Sequence, residues 1–279
     1  MARKRQGNRA FLGRQKCQKV ACFQHVWPRN CPILLHVLTL SLDTSSLAGS
    51  LAVLRDNQLL GVVSTRSEEN YSSRMFRHLE FLLADLSLKL GDFDLFSVAA
   101  GPGSFTGLRV GLTAVKGWAE VFAKPVVGVS ALEAVAAQAL PGNSSSVAFV
   151  VPVLDARRGQ IYCAFYRRTD SRLQLDGDQC VMPPEELLVE IDRRAGENVR
   201  IVIATPEPEL ISAALSRFEN PDASSTGSSI ILQHVSGVLA PWIGRLGIAS
   251  AQRGEFSDAL TLDANYVRRS DAELQLKGK

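Results

Sequence analysis

The 279-residue sequence predicts an α/β fold with mixed sheets and two lobes, and three observations support this prediction. Buried-strand patterns alternate with amphipathic helical patterns after residue 33. The first half opens with a strand meander and then alternates strands with helices, which indicates a mixed sheet covered by helices. A polar segment at 143–146 is followed by a second strand–turn–strand pattern. We therefore expect two related lobes of unequal size, at 33–142 and 143–270.

The elements of the first lobe follow from the spacing of apolar residues. Residues 34–45, 50–58 and 59–67 are predicted strands, and the last two form a hairpin at Asp56-Asn57. The segment 71–90 changes to helical spacing, with Gly91 as its C-cap. The remaining predicted elements are a strand at 95–100, a helix at 107–123, a strand at 126–130 and a helix at 131–140.

The second lobe repeats the pattern in a reduced form. Two strands are predicted around a turn at Asp155–Gly159, and helices and one further strand follow. The predicted elements are strands at 147–157 and 159–168, a helix at 185–195, a strand at 201–205, helices at 207–218 and 239–254, and a loop at 224–229. Residues 271–279 are predicted to be a flexible tail.

Charge and cysteine content narrow the class of protein. Residues 1–30 hold eight of the 31 basic residues and no acidic ones, so the rest of the chain is mildly acidic. We interpret residues 1–32 as a basic, disordered extension, and the acidic body gives no general reason to bind nucleic acid. No apolar run is long enough to span a membrane. Five scattered cysteines argue against a disulfide framework and for a cytoplasmic location.

The stretch GPGSFTGLRVGLTAVKGW at 101–118 resembles a phosphate-binding loop but fits none of the usual spacings. It lacks the Lys-Ser/Thr pair of a P-loop, the third glycine of a dinucleotide fingerprint and the flanking glycines of a nucleophile elbow. Two interpretations remain. Amides at the start of the next helix, capped by Ser104 or Thr106, could bind an anion. Alternatively, the small residues of that helix allow close packing, which we favour.

Two aspartates follow predicted strands at matching places in the two lobes. Asp43 opens the turn Asp43-Thr44-Ser45, and Asp155 opens the turn of the second lobe. A carboxylate at either place could hold Mg²⁺ through water, next to a nucleotide. Aspartate is also an ordinary turn residue, because its side chain accepts hydrogen bonds from the backbone that follows it. We favour this second interpretation.

Five blocks together are similar to the TsaB family of bacterial tRNA threonylcarbamoyladenosine biosynthesis proteins. They run in order over residues 33–270, and the glycine-rich block is the most specific. The blocks are LTLSLDTSS (38–46), GPGSFTGLRVGLTAVKG (101–117), PVVGVSALEAVA (125–136), LDARRGQIY (154–162) and NYVRR (265–269). Many family members carry His-Ser where this sequence has Tyr71-Ser72 or Asn70-Tyr71.

The resemblance implies the two-lobed fold of actin and sugar kinases, with a reduced second lobe. It implies a non-catalytic subunit that binds and activates a TsaD-like catalytic subunit, which a TsaE-like ATPase joins. The expected assemblies are a homodimer and a heterodimer, with tRNA contacted only indirectly and no membrane partner. The chain itself requires no cofactor, although ATP or ADP is expected in the complex.

The resemblance and the spacing together define two sets of candidate residues. The first is a degenerate phosphate loop, composed of Asp43, Thr44, Ser45, Gly101, Gly103, Ser104, Thr106 and Asp155. The second is a dimer or partner interface on the two first-lobe helices, composed of Met75, Phe76, Leu79, Leu82, Leu83, Leu86, Gly107, Gly111, Ala114 and Trp118. Some of the apolar side chains in the second set must also belong to the core.

Two other functions stay open at this stage. One is a nucleotide-binding ATPase or kinase of the actin-like fold. The other is a metallopeptidase related to the former glycoprotease label of the catalytic subunit. The second is disfavoured because none of the four histidines are four residues apart, so no helix presents an H-x3-H metal pair. We predict no catalytic residues and no metal site.

Overall fold

The computed structural model describes seven segments of the chain: residues 36–46, 48–67, 71–139, 147–169, 172–194, 200–218 and 229–267. The predicted basic extension at 1–32 and the predicted tail at 271–279 lie outside the described residues. Among the described residues, no helix is both long and apolar enough to cross a membrane.

The first sheet contains five strands in the order β3-β2-β1-β4-β5. The strands are β1 (Leu38–Asp43), β2 (Ser50–Arg55), β3 (Gln58–Ser64), β4 (Leu95–Gly101) and β5 (Val126–Ser130). β1, β2 and β3 form an antiparallel meander, whereas β4 and β5 run parallel to β1. Every residue of β1 is buried, as expected for the central strand of a sheet covered on both faces.

The second sheet has the main order β10-β7-β6-β11-β12, and β8 and β9 branch from β6. Its strands are β6 (Val147–Arg157), β7 (Gln160–Cys163), β8 (Tyr166–Arg168), β9 (Leu173–Leu175), β10 (Cys180–Met182), β11 (Arg200–Thr205) and β12 (Ser229–His234). β6, β7 and β10 are antiparallel, and β11 and β12 run parallel to β6.

The two sheets thus repeat one topology. In each sheet the first strand is central, an antiparallel pair lies on one side of it, and two parallel strands lie on the other. Parallel neighbours need crossover connections, and the chain supplies them as helices. This duplication confirms the α/β fold with mixed sheets and two related lobes that is predicted from the sequence.

Six α-helices complete the described part of the fold. They are α1 (Tyr71–Asp85), α2 (Phe105–Phe122), α3 (Ala131–Ala136), α4 (Pro184–Arg194), α5 (Glu209–Phe218) and α6 (Ala240–Gln252). Apolar residues of α1 and α2 form one core with the first sheet, and those of α4 and α5 form a second core with the second sheet. Each lobe therefore has its own hydrophobic core.

The last helix returns to the first sheet. Ser41 Oγ on β1 donates to the Ala240 carbonyl over 2.7 Å, and the Ala240 amide donates to Ser50 Oγ over 3.1 Å. Further along, the Asn265 amide donates to the Ala100 carbonyl at the end of β4 over 2.6 Å. The range predicted for the second lobe, 143–270, therefore includes a helix and a following segment that pack on the first sheet.

Several element boundaries differ from those predicted. The helix predicted at 71–90 ends at Asp85, because Ser87 adopts a left-handed backbone with a φ of 53°. The strand predicted at 159–168 is two strands, β7 and β8, which pair with different stretches of β6. Strands β9, β10 and β12 were not predicted. β9 and β10 have only three residues each, which is too short for a clear local pattern; β9 forms a hairpin with β8, and β10 pairs with β7.

Candidate functional site

A cleft of about 510 Å³ is lined by residues from both sheets. Its volume is within the usual range of small-molecule sites. Six of the eight residues predicted for a degenerate phosphate loop line it: Thr44, Ser45, Gly103, Ser104, Thr106 and Asp155. The two others, Asp43 and Gly101, are buried behind the wall of the cleft. The chain therefore brings together turns that are more than 100 residues apart in sequence.

The glycine-rich loop packs directly on the turn that follows β1. Thr44 Oγ1 donates to the Gly107 carbonyl over 2.7 Å, and the Ser104 amide donates to the Ser45 carbonyl over 2.7 Å. A methyl group added at Gly103 would lie 2.6 Å from the Ser45 carbonyl oxygen, closer than real contacts allow. Glycine is therefore required here by the close approach of two backbones.

Two amides near the start of α2 already have acceptors within the chain. The Ser104 amide is bound to the Ser45 carbonyl, and the Gly107 amide donates to Ser104 Oγ over 3.3 Å, which makes Ser104 the N-cap of α2. A phosphate at a helix N-terminus uses amides of this kind. These two amides are engaged within the chain, which supports the interpretation of the loop as a close-packing element.

Gly101 has a different structural role. Its φ of 118° lies where side-chain-bearing residues are rarely found, and it is followed by a cis peptide bond to Pro102. A methyl group added to Gly101 would lie 2.6 Å from the Asn265 carbonyl oxygen. The absence of a side chain at Gly101 therefore allows the end of β4 to pack closely against the backbone of Asn265, which belongs to the NYVRR block.

Asp43 is completely buried at the end of β1. Its Oδ1 accepts hydrogen bonds from the Ser45 amide over 2.8 Å and from Ser45 Oγ over 2.6 Å. Its Oδ2 has no hydrogen-bond partner among the described residues. Burial raises the pKa of this carboxyl, and the two hydrogen bonds from Ser45 oppose that rise.

Asp155 is held by its own turn in the second lobe. Its Oδ1 accepts from the Arg157 amide over 2.7 Å, and its Oδ2 is 3.2 Å from Arg157 Nη1. Both aspartates thus accept hydrogen bonds within their own turns, as aspartate commonly does. Asp43 does not line the cleft, whereas the Asp155 carboxylate lines it and forms an ion pair with Arg157.

An ion pair missed in the sequence joins the two lobes at the cleft. Arg66, just after β3, donates from Nη2 to Glu207 Oε1 over 3.1 Å, and both residues line the cleft. Tyr71 and Tyr162 also line it, one from each lobe. Burial raises the pKa of the Tyr71 hydroxyl, and the charge of Asp43 adds to this effect. No motif marked Arg66 or Glu207, because their pairing spans 141 residues.

The structure separates the core and surface members of the predicted interface. Met75, Leu79 and Leu82 are buried in the first-lobe core, which their spacing on one face of α1 explains. Leu83 and Leu86 are half-buried against the same core. Phe76 lies about 100° around the helix from Met75 and is 57% exposed. Among the large apolar residues predicted for the interface on α1, Phe76 is therefore the exposed one.

The small residues of α2 are used within the chain. A methyl group on Gly107 would overlap the Thr44 carbonyl oxygen, and one on Gly111 would overlap Thr44 Oγ1. Ala114 and Trp118 are half-buried against the first-lobe core, and the Trp118 ring lies 5.8 Å from the Phe96 ring. The close packing predicted for this face thus takes place against β1 and β4 of the same molecule.

Comparison with known proteins identifies the family. The family model of TsaD, tRNA N6-adenosine threonylcarbamoyltransferase, matches residues 51–232, which is more than half of the chain. The chain belongs to this family and is a TsaB/YeaZ-like member of it. It is 35% identical over 157 residues to the tRNA threonylcarbamoyladenosine biosynthesis protein TsaB of Bacillus subtilis, a match that covers 55% of this chain and 67% of the relative.

Other members give a consistent result. TsaB of Escherichia coli is 29% identical over 166 residues, which cover 58% of this chain and 69% of that protein. The matched segment thus spans about two thirds of each of these relatives. Among solved structures, YeaZ from Pseudomonas aeruginosa has a TM-score of 0.62 at 24% identity and covers 82% of this chain and 99% of its own. At this identity the similarity supports the fold of the TsaB/YeaZ-like chain.

Proposed function

We propose that this TsaB/YeaZ-like chain is a non-catalytic subunit in tRNA threonylcarbamoyladenosine biosynthesis, which binds and activates a TsaD-like catalytic subunit. Family membership supports the pathway, because curated relatives in Bacillus subtilis and Escherichia coli carry that biosynthetic name. In this proposal a TsaE-like ATPase joins the assembly, and ATP or ADP binds to partners. The site of action is the cytoplasm.

The observation that supports a non-catalytic role is that polar groups at the cleft are hydrogen-bonded within the chain. Both aspartates cap their own turns, and two amides at the start of α2 have acceptors inside the chain. Catalysis of phosphoryl transfer depends on groups aimed at the reacting phosphate. The residues of this cleft are instead engaged with each other, which supports a structural use of the fold.

Exposed apolar side chains on the first-lobe helices support a docking surface. Phe76 and Phe81 on α1 are 57% and 63% exposed, and Val121 on α2 is 75% exposed. We propose that this part of α1 and α2 binds the catalytic subunit and, in its absence, a second copy of the chain. Contact with tRNA then comes through the partner.

The test of partner binding is a direct mixing experiment. The purified chain and a TsaD-like catalytic subunit are analysed alone and together by size-exclusion chromatography with light scattering. The proposal predicts a heterodimer at the expense of any homodimer. Separate elution of the two proteins at concentrations well above those in the cell would remove the basis for a scaffold role.

One observation favours a second candidate function, a nucleotide-binding ATPase. The cleft has the volume of a small-molecule site and lies between the two lobes, where actin-like folds have their cleft. Measurement of ATP turnover by the purified chain tests this candidate, with Asp43→Ala as the variant. Turnover that disappears in the variant would support an ATPase. Absence of turnover, together with no nucleotide binding by calorimetry, would exclude it.

A further inference from the structure

Two cysteines that are distant in sequence are directly opposite each other in the second sheet. Cys163 ends β7 and Cys180 begins β10, and the antiparallel register of these strands pairs one with the other. Residues directly opposite in an antiparallel pair project to the same face of the sheet. Both side chains accordingly contact the second-lobe core, and both are free thiols.

The geometry of this pair suits a disulfide. Opposed residues on antiparallel strands have Cα atoms about 4.5 or 5.5 Å apart, depending on the type of pair. Disulfides form across Cα separations of about 4.4–6.8 Å. Either type of pair is therefore within range, and closure of the bond requires side-chain rotation rather than movement of the strands.

The two thiols differ in access. Cys163 is completely buried, whereas Cys180 is half-buried at the sheet edge and donates from Sγ to the Asp178 carbonyl over 3.5 Å. Burial raises the pKa of both thiols, and the Arg194 guanidinium, which stacks 4.2 Å from the centre of the Phe165 ring, opposes that rise. An oxidant from solvent thus meets Cys180 first, and Cys163 is held next to it.

We propose that Cys163 and Cys180 are a reversible modification site, which low-molecular-weight disulfides convert to an intramolecular disulfide. The Cys180 thiolate attacks one sulfur of the small disulfide, forms a mixed disulfide and releases one small thiolate. The Cys163 thiolate then attacks the Cys180 sulfur and releases the second. Two protein thiols and one small disulfide become one protein disulfide and two small thiols, and two electrons pass to the small molecule.

The bond fastens a weakly held part of the second lobe. β10 is a three-residue edge strand with half-buried side chains, and it leads directly into α4. Its partner β7 also carries Tyr162, which lines the cleft. Oxidation therefore joins the β10–α4 segment covalently to the strand that forms one wall of the cleft.

The experiment uses the full chain with Cys17, Cys22 and Cys31 replaced by serine, which leaves two cysteines. The folded protein is incubated with oxidised glutathione, quenched with acid, denatured, alkylated and analysed by intact mass and peptide mapping. We expect the count of alkylatable thiols to fall from two to zero, with Cys163 and Cys180 in one cross-linked peptide pair. Reductant restores both thiols.

Two variants distinguish the steps. Cys163→Ser is expected to keep a glutathione adduct on Cys180, and Cys180→Ser to acquire no adduct because Cys163 is buried. Circular dichroism checks that each variant is folded. If a variant does not fold, the peptide map of the parent protein still tests whether the disulfide forms. A parent protein that keeps both thiols, stops at the glutathione adduct or forms only intermolecular bonds would overturn the proposal.

Discussion

Thr44 makes two contacts with Gly107: its Oγ1 donates a hydrogen bond to the Gly107 carbonyl over 2.7 Å, and its own carbonyl oxygen packs against the Gly107 Cα. Gly111, one turn further along α2, faces the same threonine. The glycine-rich block and the LTLSLDTSS block of this TsaB/YeaZ-like chain are therefore two halves of one packing arrangement. A sequence that resembles a phosphate loop is used here to seat a helix against the end of the central strand.

Alanine at Gly107 tests this arrangement most simply. The added methyl group overlaps the Thr44 carbonyl oxygen, a backbone atom that cannot move independently. We expect Gly107→Ala to lower the free energy of unfolding by about 1–3 kcal/mol.

The control is Gly117→Ala on the same helix, where a methyl group meets no described atom within 4 Å. The control is expected to raise the free energy by about 1 kcal/mol. Urea denaturation measures both, and equal effects would contradict the account.

Asp43 provides a prediction about pH. Its folded-state pKa is raised, chiefly by burial, so the folded protein binds a proton more readily than the unfolded chain does. Stability from this group is therefore present at low pH and falls as pH rises from the ordinary aspartate pKa through the raised one. Asp43→Asn removes the buried charge and keeps an oxygen that can accept from Ser45. We expect the variant to be more stable than the parent at pH 8.

The two proteins are compared by urea denaturation over a pH series. The stability advantage of Asp43→Asn at pH 8 is expected to shrink as the pH falls, because the parent carboxyl is then protonated and neutral. An advantage of the same size at every pH, or a loss of stability at pH 8, would show that the carboxylate is favourably accommodated in the folded protein.

The docking surface is tested by a charge on an exposed position of α1. Phe76→Asp places a carboxylate on a side chain that is 57% exposed, so the fold is expected to persist while binding of the catalytic subunit is lost. Val189→Asp on α4 is the matched control, since Val189 is 63% exposed and lies outside the proposed surface. Analytical ultracentrifugation of each mixture provides the measurement. Similar affinity for both variants would place the partner elsewhere.

The proposed disulfide has its own pH dependence. Burial raises the pKa of the Cys163 thiol to about 12, and it also raises the pKa of the Cys180 thiol. Nearby carboxylates add to both rises: Glu186 and Glu190 for Cys163, and Asp178 and Glu190 for Cys180. The Arg194 guanidinium opposes both rises. The thiolate is the reactive form. Closure with oxidised glutathione is therefore expected to accelerate through pH 9 without levelling near the ordinary thiol pKa of about 8.5. The rate of disulfide formation is measured by quenching samples at set times and alkylating the remaining thiols. A rate that stops increasing at about pH 8.5, the ordinary thiol pKa, would contradict the burial of the pair.

Much of the fold could be predicted from the sequence, because its central parts have strong local patterns. LTLSLD gives a fully buried strand, and the spacing of Met75, Leu79 and Leu82 gives the buried face of α1. Strands β9 and β10 were missed because three residues carry too little pattern to predict a strand. The end of α1 depends on the left-handed backbone conformation of Ser87, which could not be predicted from a serine at that position.

The cleft was predictable only in part. Asp43 and Asp155 were placed correctly at two turns, because aspartate after a strand is a common turn signal. The pairing of Arg66 with Glu207, and of Cys163 with Cys180, results from folding of distant segments and leaves no spacing in the sequence. The packing of Gly107 and Gly111 against Thr44 likewise joins distant segments and leaves no spacing in the sequence.

The central claim is that this chain contributes no chemistry of its own but is required for tRNA threonylcarbamoylation by its catalytic partner. Reconstitution with a TsaD-like subunit, a TsaE-like ATPase, the threonylcarbamoyl donor and substrate tRNA tests it, with modified adenosine measured by nucleoside mass spectrometry. The account predicts modification with the parent chain and with Asp43→Asn, and background levels without the chain or with Phe76→Asp. Full modification in its absence, or loss of activity in Asp43→Asn with the complex intact, would contradict it.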